Sequence, residues 1–227
     1  MMPDSPISVT HGRNELLEAV ANLNGRVFDN DPVITYMLFD MPREERLAYL
    51  PKYWATLIKS ALLNDAVITE AEGCKAASVT IPPGRYIDNV WSLLSAGFLA
   101  VLWRIGYSGL MRLWTEFSGL SDHAKRKGLR GQKRYYYIFS IGTEYEHRGK
   151  GLAKAIVRDV QLTAKREHMP IWLEATTPNS RNLYLSLGFE EVEVIVLGKG
   201  KVAADASIQP GGPGIPLWAM VWWPEVS

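Results

Sequence analysis

YYYIFSIGTEYEHRGKGLAKAIVRDVQLTAKREHMPIWLEATTPNSRNLYLSLGF, residues 135–189, decides the fold. Tyr135 to Ile141 is aromatic and β-branched and stops at Gly142, so it reads as a strand entering a short loop. The loop carries Arg148-Gly149-Lys150-Gly151, and from Leu152 the apolar residues Leu152, Ala155, Ile156, Val160 and Leu162 recur near helical spacing. A strand, a glycine-bearing turn and a helix follow one another. Such a turn gathers unpaired backbone N–H groups at the positive end of a helix dipole, which suits a pyrophosphate held without a metal. Glycine at 149 and 151 lets phosphate oxygens approach the main chain closely. Beyond the helix come a strand, Ile171 to Thr176, a polar turn, Thr177 to Ser180, and a short helix around Leu183-Tyr184-Leu185 closed by Gly188-Phe189.

The spacing is neither the Walker A pattern nor the dinucleotide-binding G-x-G-x-x-G. Arg148-x-x-Gly151-x-Ala153 after a strand resembles the R/Q-x-x-G-x-G/A signature of the Gcn5-related N-acetyltransferases, the GNAT superfamily. The later strand, the turn, the helix with Tyr184 and the closing Gly188-Phe189 fit that family in the same order. Together with PxWAMxW near the end, WLEATTPNSRNLYLSLGF looks like its puromycin N-acetyltransferase-type branch.

The resemblance implies an α/β (α+β) GNAT fold, with a central mixed, mostly antiparallel sheet flanked by helices and a helical insertion before the CoA-binding strand. It implies acetyl transfer from acetyl-CoA to an amine by direct attack, with no metal. Cofactor contacts are then expected from Ile141, Gly142 and Thr143 at the strand end, from Arg148, Gly149, Lys150, Gly151, Leu152 and Ala153 in the loop, and from Asn179 and Asn182. Arg148 is expected to act through its amide. Gly142, between two β-branched residues, fits either a bulge or a plain strand end. Tyr184 is the expected acid for the leaving thiolate, since a phenol can donate a proton there. A protonated amine must lose a proton before it attacks. Glu174, set between the apolar Leu173 and Ala175, is the first candidate base, with Glu144, Asp31 and Glu70 behind it; Glu174 also reads as a partnered carboxylate on the sheet surface.

Composition narrows the partners. At 227 residues with 47% hydrophobic content the chain is ample for one well-cored domain, so residues 1–227 read as a single acetyltransferase domain. A net charge of +1 gives no electrostatic case for nucleic acid or an anionic membrane, and the basic run His123 to Lys133 reads as a solvated helix end. The one cysteine, Cys74, allows no disulfide within the chain and reads as a packing residue, which suits a reducing compartment. MMPDSPISVT lacks the pattern of a secretory leader, so a cytoplasmic address is expected. The expected partner is a small-molecule amine, and the protein a monomer or homodimer. A protein lysine or N-terminus as acceptor, or a non-catalytic CoA-binding module, are the alternatives.

Earlier in the chain, Ile7 to Thr10 alternates as a strand, Asn14 to Asn24 and Arg43 to Leu63 have helical faces, and Val33 to Phe39 resembles the apolar turn or short helix bordering the acceptor pocket in such enzymes. Ala66 to Glu72 and Lys75 to Ile81 form a hairpin. The insertion, about 85–132, is mostly helical and rich in rings: Trp91, Phe98, Trp103, Tyr107, Trp114 and Phe117. Its apolar run from Trp91 to Trp103 is too short for the ~20 residues of a bilayer crossing. These rings read as core, with Tyr86, Trp91 and Trp103 alternatively lining the acceptor pocket. Val192 to Leu197 and Leu217 to Trp223 read as the last strands, around a Gly- and Pro-rich loop long enough to be mobile.

Overall fold

In the computed structural model, residues 7–87 and 89–225 are described, with side chains throughout except at 107, 108, 110, 111 and 113–115. The Tyr107 and Trp114 rings and the first six residues of the run read for a leader lie outside the described residues. The strands are β1 (Val9–Gly12), β2 (Val67–Ala71), β3 (Ala76–Ile81), β4 (Tyr136–Thr143), β5 (Ile171–Ala175), β6 (Glu190–Leu197) and β7 (Ile215–Trp222). They make one sheet in the order β1-β2-β3-β4-β5-β7-β6. Every pairing is antiparallel except β4 with β5. This is the expected mixed, mostly antiparallel sheet.

Helices cover both faces. On one, α1 (Leu17–Val27) and α3 (Arg43–Leu63) pack over β2, β3 and β4 around Leu23, Leu50, Ile58, Ile68 and Val79. On the same face, α2 (Pro32–Met37) and α6 (Gly119–Gly128) cover β5, β6 and β7 around Trp172, Leu197 and Leu217. On the other face, α7 (Leu152–Arg166) and α8 (Pro178–Ser186) bury Val157, Val160, Leu173 and Tyr184 against the sheet. The insertion supplies α4 (Val90–Ala96), α5 (Phe98–Met111), a π-helical stretch over Arg112–Ser118, and α6. Among the described residues no helix is long and apolar enough to cross a membrane.

Several elements differ from the sequence reading for identifiable reasons. β1 begins at Val9, where pairing with Ala71 starts. The fourth strand runs through Gly142 to Thr143, so glycine does not end it. The irregularity in β4 lies earlier: Val79 faces Ser140 while Thr80 faces Ile138, which leaves Phe139 as the extra residue of a bulge. Gly142 is in register with Ala77, and the reason for glycine there is α1, because a Cβ would meet Val27 Cγ2 at 2.6 Å. The last short helix starts at Pro178, with Thr177 as its cap and Ser180 closing the reciprocal pair of cap bonds, so the expected polar turn is already helical. Leu162 faces solvent on α7, whose inner stripe is Leu152, Ile156, Val157, Val160 and Ala164. The loop between β6 and β7 is tied by backbone bonds, Gly200 N–H to Gly212 at 2.8 Å and Gly214 N–H to Val202 at 2.8 Å. Glu116 of the π-helical stretch accepts from its Gly198 N–H and from Lys201. Tyr86, Trp91 and Trp103 are not core: they are exposed.

Candidate active site

The parallel pair β4–β5 is joined only at its start. Tyr136 faces Ile171 and Tyr137 faces Trp172; beyond them β4 runs on to Thr143 and β5 to Ala175 without pairing each other. β4 is held instead by β3 and β5 by β7 along its whole length, so the two strands diverge into a wedge. Direction along β4 tells which donors face it. Glu144 N–H bonds to Lys75 O at 2.9 Å on the β3 side, and N–H groups alternate along a strand, so Gly142 also points to β3 while Ile141 and Thr143 point to the open edge. Two backbone donors are thereby aimed into the wedge.

A different chemical group lies on each face of the sheet. On the α7–α8 face, Tyr184 is only 4% exposed and stacks at 5.5 Å on Phe189. Its phenol has no hydrogen-bond partner among the described residues, and burial raises its pKa, so it keeps its proton. On the opposite face, Glu174 accepts three hydrogen bonds: from Ser121 Oγ at 2.6 Å and Trp172 Nε1 at 2.8 Å on one oxygen, and from the Tyr137 hydroxyl at 2.8 Å on the other. A carboxylate has about four acceptor positions, so one on the second oxygen remains for an incoming donor. Lys125 lies 5.0 Å above the Tyr137 ring. Glu174 is thus both the carboxylate at the wedge and a partnered one.

Asp31 is a second buried carboxylate near the end of β5. It caps α2 through Val33 N–H at 2.9 Å and Ile34 N–H at 3.0 Å, and its other oxygen accepts from the Thr176 hydroxyl at 2.6 Å. Burial raises its pKa, opposed by those three bonds. Glu144 instead pairs with Arg26, and Glu70 accepts from Thr10 and from Cys74 N–H at 2.6 Å. Asp31 before Pro32 is a cap-and-first-turn signal in the sequence, but its bond to Thr176 needs tertiary structure. The triple partnership of Glu174 likewise needs tertiary structure, because Tyr137 and Ser121 reach it only once the parallel register and α6 are in place.

The loop before α7 is built as a cradle. Gly149 and Gly151 have φ of +77° and +82°, left-handed values that glycine adopts without strain, and a Cβ at Gly149 would meet nothing within 4 Å. The N–H groups of Gly149, Lys150, Gly151, Leu152 and Ala153 donate to no described group, and the first turn of α7 holds no acidic residue. Arg148 stands apart: its N–H goes to Tyr145 O at 3.3 Å, its guanidinium covers the Tyr145 ring at 3.9 Å, and its Nε reaches Thr143 O at 3.3 Å. Lys150 Nζ lies 3.3 Å from His147. Asn179 and Asn182 are exposed on α8. An open cavity of about 690 Å³ adjoins the outer side of this region, lined by Arg26, Cys74, Lys75, Glu144 and His147 among others. It includes neither Tyr184 nor Glu174. Among the described residues no cluster of three or more His, Cys, Asp or Glu could hold a metal ion.

Residues 121–196 match the family described as FR47-like protein. An uncharacterized N-acetyltransferase of Schizosaccharomyces pombe is 22% identical over 181 residues, covering 79% of this chain and 72% of that protein. The chain is an acyltransferase of GNAT fold. Arylalkylamine N-acetyltransferase 2 of Aedes aegypti superposes with a TM-score of 0.66 at 14% identity, over 96% of this chain and 99% of that one. The polyamine N-acetyltransferase of Drosophila melanogaster does so with a TM-score of 0.63 at 16% identity, over 96% and 99%. Both share the fold of this chain.

Proposed function

We propose that residues 1–227 form one catalytic domain that transfers acetyl from acetyl-CoA to the amino group of a small molecule. The observation that carries this is the β4–β5 wedge, with an unpartnered phenol on one face of the sheet and a hydrogen-bonded carboxylate on the other. The five free N–H groups from Gly149 to Ala153, at the end of a 15-residue helix and free of acidic neighbours, fit a pyrophosphate. Asn179 and Asn182 extend that surface, and Arg148 contributes through the loop's shape. Bound acetyl-CoA supplies an activated acyl group. Ile141 and Thr143 N–H donate to an oxygen that gathers negative charge in the reaction. Glu174 draws the ammonium from the α6 face and takes its proton, with Asp31 as a second carboxylate on that side. Tyr184 gives its proton to the departing sulfur from the other face. Donor and acceptor therefore approach from opposite faces and meet where the strands part.

A small amine is favoured by the two carboxylates and by structural neighbours described as acting on arylalkylamines, on polyamines and on agmatine. The likeness of WLEATTPNSRNLYLSLGF and PxWAMxW to puromycin N-acetyltransferase-type sequences points the same way. Thiol release from acetyl-CoA, measured against polyamines, arylalkylamines, agmatine and lysine- or N-terminus-bearing peptides, tests it. Amine-dependent release with at least one small amine is expected. Release only with peptides would move the acceptor to a protein.

A further inference from the structure

The insertion carries an apolar face that the fold does not use. α4 and α5 bury Ser92, Ala96, Phe98, Val101 and Ile105, the last three against the core below α3, and meet at Gly97. Their outer sides carry Trp91, 80% exposed, and Trp103, 85% exposed, with Tyr86, Val90, Leu94 and Leu99 beside them. With about 250 Å² for a fully exposed Trp and 200 Å² for a Tyr, the three rings alone present roughly 500 Å². The aliphatic side chains bring the face to roughly 750 Å². The largest apolar patch of an ordinary monomer is about 300–600 Å², and a stable two-fold dimer covers about 800 Å² per partner.

We propose that this face is the interface of a homodimer. Charge decides between a second copy and a lipid surface. Residues 89–103 contain no charged side chain, and the basic groups at either end are already held within the chain, Arg85 by Asp65 at 2.7 Å and Arg104 by Glu45 at 2.6 Å. Helices that lie on membranes carry Lys and Arg free to meet headgroups, whereas dimer cores are rich in aromatic rings and poor in charge. An uncharged apolar face is also self-complementary, as a two-fold contact requires.

Sedimentation velocity over a concentration series tests this, with the double variant Trp91→Glu/Trp103→Glu as comparison. The parent protein is expected to shift from monomer to dimer with concentration. The variant is expected to need at least ~100-fold more protein to dimerise, since each charge would be buried against its copy, while its far-UV circular dichroism stays at the parent level. A parent protein that stays monomeric at about 100 μM, or a dimer that the substitutions leave intact, overturns the proposal. So does flotation of the parent, and not of the variant, with phosphatidylcholine or phosphatidylserine-containing vesicles, which would assign the face to lipid. A misfolded double variant is replaced by the single Trp103→Glu, read the same way.

Discussion

Replacing Tyr184 by Phe should slow the enzyme and stabilise it at once. The ring stays on Phe189 and keeps its place among Ile138, Leu173 and Met220, so packing is unchanged. What is lost is one hydroxyl, 4% exposed as a residue and bonded to no described group. A buried hydroxyl without a partner costs about 1–3 kcal/mol, so taking the low end for a group at a cleft, Tyr184→Phe gains about 1 kcal/mol. For a chain of this length that is a rise in Tm of about 2–4 °C. The rate should move the other way. Burial raises the phenol's pKa, which keeps it protonated but makes it a weaker acid, so the low end of the general-acid range applies and kcat should fall about 10²-fold. Acetyl-CoA affinity should be nearly unchanged. Calorimetry for Tm and affinity, with steady-state thiol release for kcat, separates these effects. Turnover close to the parent rate would mean that the thiol departs unaided, and Tyr184 would then be a packing residue.

Gly151→Glu should abolish acetyl-CoA binding by calorimetry, because it forces a side chain into a +82° backbone and sets a negative charge at the phosphate cradle, whereas Lys150→Ala should weaken binding about ten-fold or less; unchanged affinity in Gly151→Glu would remove the cradle from its role. Gly142→Ala should cost about 1–3 kcal/mol in urea unfolding, because its Cβ would sit 2.6 Å from Val27 Cγ2, and adding Val27→Ala should recover part of that loss; additive losses would show that the contact is not the cause. Asp31→Asn should change how stability depends on pH. The folded chain binds the Asp31 proton more tightly than the unfolded one, so the parent loses stability as pH rises from the unfolded value of 3.8 toward the raised folded value, while the Asn variant, which still caps α2, lacks that loss; a gap between the two that is constant with pH would contradict the burial of this carboxylate.

Local pattern carried much of this far. The strand, glycine turn and helix at 136–166 need only short-range signals, and the bounds of α3 follow from Pro42 before it and Asn64 after it. What the sequence could not show depends on partners distant in the chain. The β4 bulge at Phe139 appears only when β3 is laid beside it, and Gly142 is explained by Val27 on α1, over a hundred residues earlier. The insertion shows the same limit from the other side. Its apolar periodicity marks helices, but period alone does not say which of two apolar sides is covered, and Trp91 and Trp103 proved to be on the open one. The carboxylates divide likewise: Glu174 was visible as a lone acid in an apolar strand, while the register Tyr137 to Trp172 is what places the Tyr137 hydroxyl on it.

The most direct measurement follows the acyl group itself. Acetyl-CoA labelled with ¹³C at the acetyl carbonyl is mixed with the protein and with each amine of the panel, and the carbonyl signal is watched by NMR. The thioester signal should convert to an amide signal only when an accepted amine is present, and conversion should stop in Gly151→Glu and slow about 10²-fold in Tyr184→Phe. A thioester signal that persists with every amine, or that turns into free acetate at a rate independent of amine, would contradict acetyl transfer at the β4–β5 wedge.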